Sequence, residues 1–101
     1  MMLTLNGAGA LIEKRTMFIG TIDHSIVHPR EIFADAMNDR AAAIVFVHNH
    51  PADNAEPSVA DIELTKRLCE VGKLVGIQII DHIIVSKEGH YSFQAESNLI
   101  K

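Results

Sequence analysis

The sequence predicts a mixed α/β fold in which a central β-sheet is flanked by helices. Short apolar segments rich in β-branched residues alternate with segments whose apolar residues recur at helical spacing. The run 41–48 contains only Ala, Ile, Val and Phe before its final histidine, a pattern typical of a strand buried on both faces. The predicted order is two strands, a helix, a strand, a loop, a helix and two strands.

The first predicted elements form a β-hairpin. The Asn6-Gly7 pair is typical of a tight turn, and it separates residues 3–5 from a β-rich stretch over residues 10–22. In that second strand, Glu13 and Arg15 are two residues apart and therefore share a face.

A helix and the buried strand follow. Pro29 is suited to the first position of a helix, and apolar residues at helical spacing extend the pattern to about Arg40. The strand over 41–48 then places His48 at its C-terminal end.

The second half of the chain predicts a longer helix and a final hairpin. Ser58 is the expected N-cap of the helix, and Gly76 is its expected stop. Residues 77–86 are apolar and β-branched, and 87–90 have the composition of a turn into residues 91–93. Residues 94–101 carry no strong signal.

Composition argues against a membrane-spanning protein, a secreted protein and a protein with a basic surface for nucleic acid. The 101 residues fit one domain over 1–101, and a formal net charge of −4 gives no bulk basic surface for nucleic acid. The longest apolar run is far shorter than the roughly 20 residues of a membrane helix, and no secretion signal opens the chain. The single cysteine fits a reducing compartment, so we expect a cytoplasmic protein without membrane contact.

The segment after the buried strand carries the most chemical information. His48 and His50 are two apart, so on an extended strand both imidazoles can converge on one metal ion. The following helix start can bring Asp61 to the same point, which gives the three-ligand set of a catalytic zinc. These residues also have ordinary interpretations, because histidines at a strand end are often surface residues, and Ser58 with Asp61 resembles a helix capping box.

The spacing His-x-His-x7-Ser-x2-Asp, formed by His48, His50, Ser58 and Asp61, resembles the JAMM (MPN-plus) metalloprotease motif. From about residue 5 to residue 93 the chain also resembles the C-terminal domain of the RadC family. The segments that carry this resemblance are Gly20-Thr21, 27–31, 48–51, 56–58, 61–68, Gly76-Ile77 and Asp81-His82.

The resemblance implies a JAB/MPN-type fold of the cytidine deaminase-like class. It implies Zn²⁺ held by His48, His50 and Asp61, with Ser58 hydrogen-bonding the water or the developing oxyanion. The implied function is a zinc-dependent hydrolase in a RadC-like DNA repair protein, in which metal-activated water attacks a peptide, isopeptide or related amide bond. His82 is interpreted as a strand histidine hydrogen-bonded to a neighbour.

The general base is where the sequence departs from the family pattern. RadC-like sequences tend to carry a glutamate five residues before the Gly of the Gly-Thr pair, and here that position is Arg15. Arginine cannot accept a proton, so Glu13, on the same strand face, is the candidate base if the strand register shifts or if its side chain reaches about one residue further. This departure concerns hydrolytic turnover more than metal binding.

Two other functions stay open besides the hydrolase: a metal-binding but catalytically silent protein-interaction domain, and a DNA-associated accessory domain. The partner of the hydrolase would be a protein or peptide, and DNA enters by family association alone. Exposed sheet edges make a homodimer a further expectation. RadC-like proteins usually carry an additional N-terminal helical region, so the chain is expected to be the C-terminal part of a longer protein.

Overall fold

A computed structural model of the chain describes residues 1–15, 29–49, 55–97 and 99–100. Its strands and helices, in chain order, are β1 (Met2–Leu5), β2 (Leu11–Arg15), α1 (Pro29–Asn38), β3 (Ala43–Asn49), α2 (Val59–Val75), β4 (Gln78–Ser86), β5 (Gly89–Ser92) and α3 (Phe93–Glu96). The sheet order is β2-β1-β3-β4-β5, and β3 with β4 is the parallel pair among these strands. The predicted mixed α/β fold and the predicted order of the main elements are confirmed.

The first hairpin turns at Asn6, as predicted, although the turn is longer than an Asn-Gly pair alone. The Asn6 side-chain oxygen accepts hydrogen bonds from the backbone N–H groups of Ala8 and Ala10. Gly9 has a φ of 83°, a left-handed conformation that glycine adopts without strain. The predicted continuation of the second strand over 16–22 lies outside the described residues.

Helices α1 and α2 pack on the same face of the sheet. Ile32 and Phe33 of α1 and Leu68 of α2 belong to one buried apolar cluster that also contains Ile44 and Phe46 of β3. The residues that alternate with these on β3 are half-buried, as expected for the opposite face of the sheet. The core therefore lies between the sheet and the two helices.

The pairing of β3 with β4 contains a bulge. Ile44 pairs with Ile79, but the next residue, Val45, pairs with Asp81, so Ile80 is an extra residue on β4. His82 consequently pairs with Phe46 and lies on the core face, which it shares with Ile79.

Both predicted ends of α2 are confirmed. Ser58 is its N-cap, and Gly76 is its C-cap, with the left-handed φ of 79° that favours glycine. Close packing near the C-terminal end requires a second glycine, because a Cβ on Gly72 would lie 2.5 Å from the carbonyl oxygen of Ile77. The short helix α3 begins at Phe93, where the sequence predicts strand followed by no defined structure.

Among the helices of the described segments, none combines the length and apolar character required to span a lipid bilayer.

Candidate metal centre

His48 lies near the C-terminal end of β3, in the strand that the sequence predicts to be buried. Its side chain is on the core face, in line with Ile44 and Phe46, and it is 3% exposed. The adjacent Asn49 is exposed because successive strand residues point to opposite faces. In open α/β sheets, the carboxyl ends of parallel strands are the usual place for ligands, and β3 and β4 are parallel here.

Asp61 reaches the same place from the first turn of α2. The Ser58 Oγ accepts a hydrogen bond from the Asp61 N–H at 3.1 Å, and Asp61 Oδ2 accepts one from the Ser58 N–H at 2.8 Å. This reciprocal pair is a capping box with aspartate in place of the usual glutamate. The capping interpretation of Ser58 and Asp61 is thus confirmed, and it orients the Asp61 carboxylate.

The other carboxylate oxygen faces the histidine. Asp61 Oδ1 is 3.5 Å from His48 Nδ1, and the Asp61 side chain is fully buried. Two atoms that bind the same tetrahedral zinc at 2.0–2.1 Å are about 3.3 to 3.4 Å apart. The donor types and their spacing therefore fit two of the ligands of one zinc ion, and ligation is compatible with the cap because the two functions use different oxygens.

The third predicted ligand, His50, lies outside the described residues. Within 1–15, 29–49, 55–97 and 99–100, no group of three His, Cys, Asp or Glu side chains has the arrangement of a metal site. The described part of the candidate centre is therefore the pair His48 and Asp61, with Ser58 hydrogen-bonded to Asp61.

His82 is a further buried polar residue beside this pair. Its ring is 1% exposed and stacks on His48 with centroids 5.9 Å apart, and on Phe93 at 4.9 Å. Its Nδ1 is 2.7 Å from the Thr65 hydroxyl, which confirms the predicted hydrogen bond to a neighbour. Burial and, to a lesser extent, the nearby His48 lower the pKa of His82 to about 4, so the ring is neutral at pH 7.

Thr65 is the residue of this cluster that sequence reasoning missed. It is 1% exposed, and its hydroxyl donates a hydrogen bond to the backbone carbonyl of Asp61 at 2.8 Å. A threonine in the middle of a helix carries no signal in the sequence. Its contact with His82 of β4 is evident only from the fold.

The predicted base, Glu13, is not brought to this pair. Glu13 is exposed and lies opposite Thr4, which pairs with Ile44, four residues before His48 on β3. Strand spacing then separates the Glu13 and His48 backbones by roughly 13 Å along the strands and about 10 Å across them. The base role of Glu13 stays a prediction, and the strand register opposes it.

Arg15, at the position where the family pattern has glutamate, binds a carboxylate just after helix α1 and lies near a second one within that helix. Its Nε donates to Asp39 Oδ2 at 2.9 Å, and a terminal nitrogen donates to Oδ1, which makes a two-pronged pair. Thr4 donates to the same carboxylate at 3.0 Å, and Asp35 lies 3.8 Å from the guanidinium. Arg15 therefore connects β2 to the C-terminal end of α1 and the turn that follows it.

Comparison with known proteins identifies the relatives of this chain. The family model described as "RadC-like JAB domain" matches residues 1–99. A UPF0758 protein of Methanospirillum hungatei is 56% identical over 84 residues, which are 83% of this chain and 37% of that protein. UPF0758 proteins of Bacillus pumilus and Halalkalibacterium halodurans are 45% and 43% identical over 97 residues, or 96% of this chain and 43% and 42% of theirs. The chain thus spans about two fifths of the length of these curated relatives, whose names state no reaction.

Proposed function

This chain belongs to the RadC-like JAB domain family, and from that premise we propose that it is a zinc-dependent hydrolase domain acting on a peptide, isopeptide or related amide bond. The observation that supports this proposal best is the buried contact of 3.5 Å between His48 and Asp61. A carboxylate and an imidazole in this position, at the carboxyl end of a parallel strand, have the donor types and spacing of zinc ligands.

In the proposed site His48, His50 and Asp61 hold the metal. Bound zinc would supply a water nucleophile that is active near neutral pH and a Lewis acid for the scissile carbonyl. Asp61 offers Oδ1 to the metal while Oδ2 remains in the helix cap, so the cap sets the direction of the ligand. Burial of both side chains excludes bulk water from the ligand side of the site.

Ser58 is proposed to stabilise the developing oxyanion. Its oxygen accepts the Asp61 N–H, and the hydroxyl proton is the group that Ser58 could donate to a substrate oxygen. Because Ser58 is exposed, a substrate carbonyl could approach it from solvent. Enzymes that catalyse acyl transfer usually direct a hydrogen-bond donor at the oxyanion of the tetrahedral intermediate.

The surroundings of Arg15 and Glu13 favour a second function, a metal-binding but catalytically silent interaction domain. The guanidinium of Arg15 is engaged by Asp39, and Glu13 lies on the edge strand far from His48. In this alternative, the metal would stabilise a surface that binds a protein or peptide partner without cleaving it.

Metal content tests the metal site that both functions share. The chain, purified without a metal-affinity tag, is loaded with zinc, freed of excess and analysed for elements. We expect about one zinc per chain in the wild type and little in His48→Ala and Asp61→Asn. His90→Ala, which removes an exposed histidine of β5, is the matched control and should retain the metal. A wild type that retains no zinc would overturn the metal site.

Cleavage then separates the two functions. The zinc-loaded chain is incubated with peptides and with lysine-isopeptide conjugates, and products are identified by mass spectrometry. Cleavage by the wild type that is lost in Ser58→Ala, with zinc content unchanged, supports the hydrolase. Stoichiometric zinc with no product from either class of substrate supports the interaction domain.

A further inference from the structure

Three residues form a continuous path through the interior between β4 and the first turn of α2. His82 contacts Thr65, and Thr65 contacts the backbone of Asp61, with distances of 2.7 and 2.8 Å. His82 and Thr65 are each 1% exposed, and Asp61 is fully buried. A path of this kind, without access to water, holds its members in one arrangement.

The donor of each hydrogen bond follows from the single proton of the Thr65 hydroxyl. That proton is donated to the carbonyl oxygen of Asp61, which can only accept. The Thr65 oxygen must therefore accept from His82, so His82 carries its proton on Nδ1. The direction of the path is fixed: His82 donates to Thr65, and Thr65 donates to Asp61.

The same imidazole contacts the second candidate ligand through its face. The rings of His82 and His48 are nearly parallel, with an interplanar angle of 22° and centroids 5.9 Å apart. Phe93 stacks on His82 as well, at 4.9 Å and 15°, and so limits its movement. His82 thus touches His48 directly and Asp61 through Thr65, although β4 carries neither candidate ligand.

We propose that His82 is a positioning residue that fixes the imidazole of His48 relative to the carboxylate of Asp61, so that the pair is arranged before the metal binds. This inference rests on the proposed zinc site. Removing a residue that orients a metal ligand without binding the metal itself typically lowers metal affinity by about 10- to 100-fold.

The test measures metal affinity and coordination on the whole chain. Zinc affinity is obtained by competition with a chromophoric chelator, and the visible absorption of the Co²⁺-loaded protein reports the geometry of the ligands. The variants are His82→Phe, which keeps an aromatic ring in the stack but removes the Nδ1 donor, and Thr65→Val, which removes the hydroxyl with little change of shape. Thr65→Ser restores the hydroxyl, and His90→Phe is the matched control on an exposed strand position.

We expect zinc affinity to fall about 10- to 100-fold in His82→Phe and Thr65→Val, with a changed Co²⁺ spectrum. Thr65→Ser should recover most of the affinity, and His90→Phe should match the wild type. The free energy of unfolding of each metal-free variant, from urea titration, shows which variants are folded. If His82→Phe does not fold, the zinc affinities of Thr65→Val and Thr65→Ser alone test the positioning role.

Three negative results are distinguishable, and they have different meanings. Wild-type affinity and spectrum in both His82→Phe and Thr65→Val would overturn the positioning role while leaving the zinc site intact. Equal losses in Thr65→Val and Thr65→Ser would also overturn it, because the hydroxyl would then be irrelevant. A wild type that binds neither Zn²⁺ nor Co²⁺ would overturn the proposed function itself, and with it the role of His82.

Discussion

At the scale of single residues, Arg15 has a structural role at the position where the family pattern has a glutamate as general base. Its guanidinium holds the Asp39 carboxylate from two nitrogens, and Thr4 donates to the same group. The Asp39 side chain is 8% exposed. Arg15 thus connects β2 to the turn after α1, and an arginine accepts no proton from a substrate.

The pair makes stability depend on pH. Hydrogen bonding to Arg15 lowers the pKa of Asp39, so the ionised carboxylate stabilises the fold above the unfolded-state pKa of about 3.9. This contribution is lost as the pH falls through the lower, folded-state pKa. We therefore expect urea titrations to show Asp39→Asn less stable than wild type at pH 7, with the difference shrinking below pH 4.

Asp35→Asn is the control for this titration, because the Asp35 side chain is 51% exposed and 3.8 Å from Arg15. Its unfolding free energy should stay close to that of the wild type at both pH values. A difference between Asp39→Asn and wild type that is the same at pH 3 and pH 7 would contradict the ionic origin of the effect.

A second prediction at this scale concerns Glu13. Because the strand register keeps Glu13 away from His48, we expect Glu13→Gln to leave zinc affinity and any cleavage rate unchanged. The measurement compares zinc-loaded Glu13→Gln with the wild type on the same substrate. A large loss of cleavage with normal zinc content would instead identify Glu13 as the base.

At the scale of elements, α2 ends in close contact with the strand that follows it. A Cβ at position 72 would lie 2.5 Å from the Ile77 carbonyl oxygen, a backbone atom that cannot turn aside. Alanine is favoured over glycine within a helix by about 1 kcal/mol, yet overpacking costs typically 1–3 kcal/mol. We expect Gly72→Ala to lower the free energy of unfolding in urea titration, against its helix propensity.

Gly76→Ala provides the comparison, because a Cβ there meets no atom within 4 Å but the φ of 79° disfavours an L-residue. Gly76→Ala therefore measures backbone strain alone, and we expect it to lower the free energy of unfolding by about 1 kcal/mol. Stabilisation by Gly72→Ala would show that α2 can move away from Ile77.

The same element shows what the sequence can and cannot predict. Ser58 and Gly76 were predictable as the ends of α2, because capping depends on local residue types. The motif spacing likewise predicted that His48 and Asp61 would meet. The partners of Arg15 and Thr65 depend on which helix packs over which strand, and no local pattern encodes that. Helix α3 was missed because a short helix carries little periodicity.

At the scale of the whole molecule, the buried apolar residues of the described segments form one cluster to which β1, β3, β4, α1, α2 and α3 contribute. Zinc binding to the folded state alone would raise its stability by mass action. At zinc concentrations 100 times Kd the gain is about 2.7 kcal/mol, which raises Tm by roughly 10–20 °C for a domain of this size. We expect this shift in calorimetry of the wild type and its absence in His48→Ala, whereas an equal shift in both would place the metal elsewhere.

The relatives of this chain are longer proteins, and the chain covers 37–43% of their length. The association with DNA, the homodimer and the additional N-terminal region therefore stay predictions about the whole protein. A formal net charge of −4 gives this part of it no bulk attraction to phosphates.

The bulge at Ile80 determines which side of the sheet the rest of β4 presents. Side chains of a strand alternate between faces, so Ile79 and His82, three residues apart, share the core face only because one residue is inserted between them. If Ile80 paired regularly with Val45 instead, the faces of Asp81 and His82 would be exchanged, which would bring a carboxylate into the interior and turn the imidazole outward. Deleting Ile80, by contrast, would leave the pairing of His82 with Phe46 and its place on the core face unchanged. The bulge, as much as the identity of the histidine, thus determines the position of His82 beside His48.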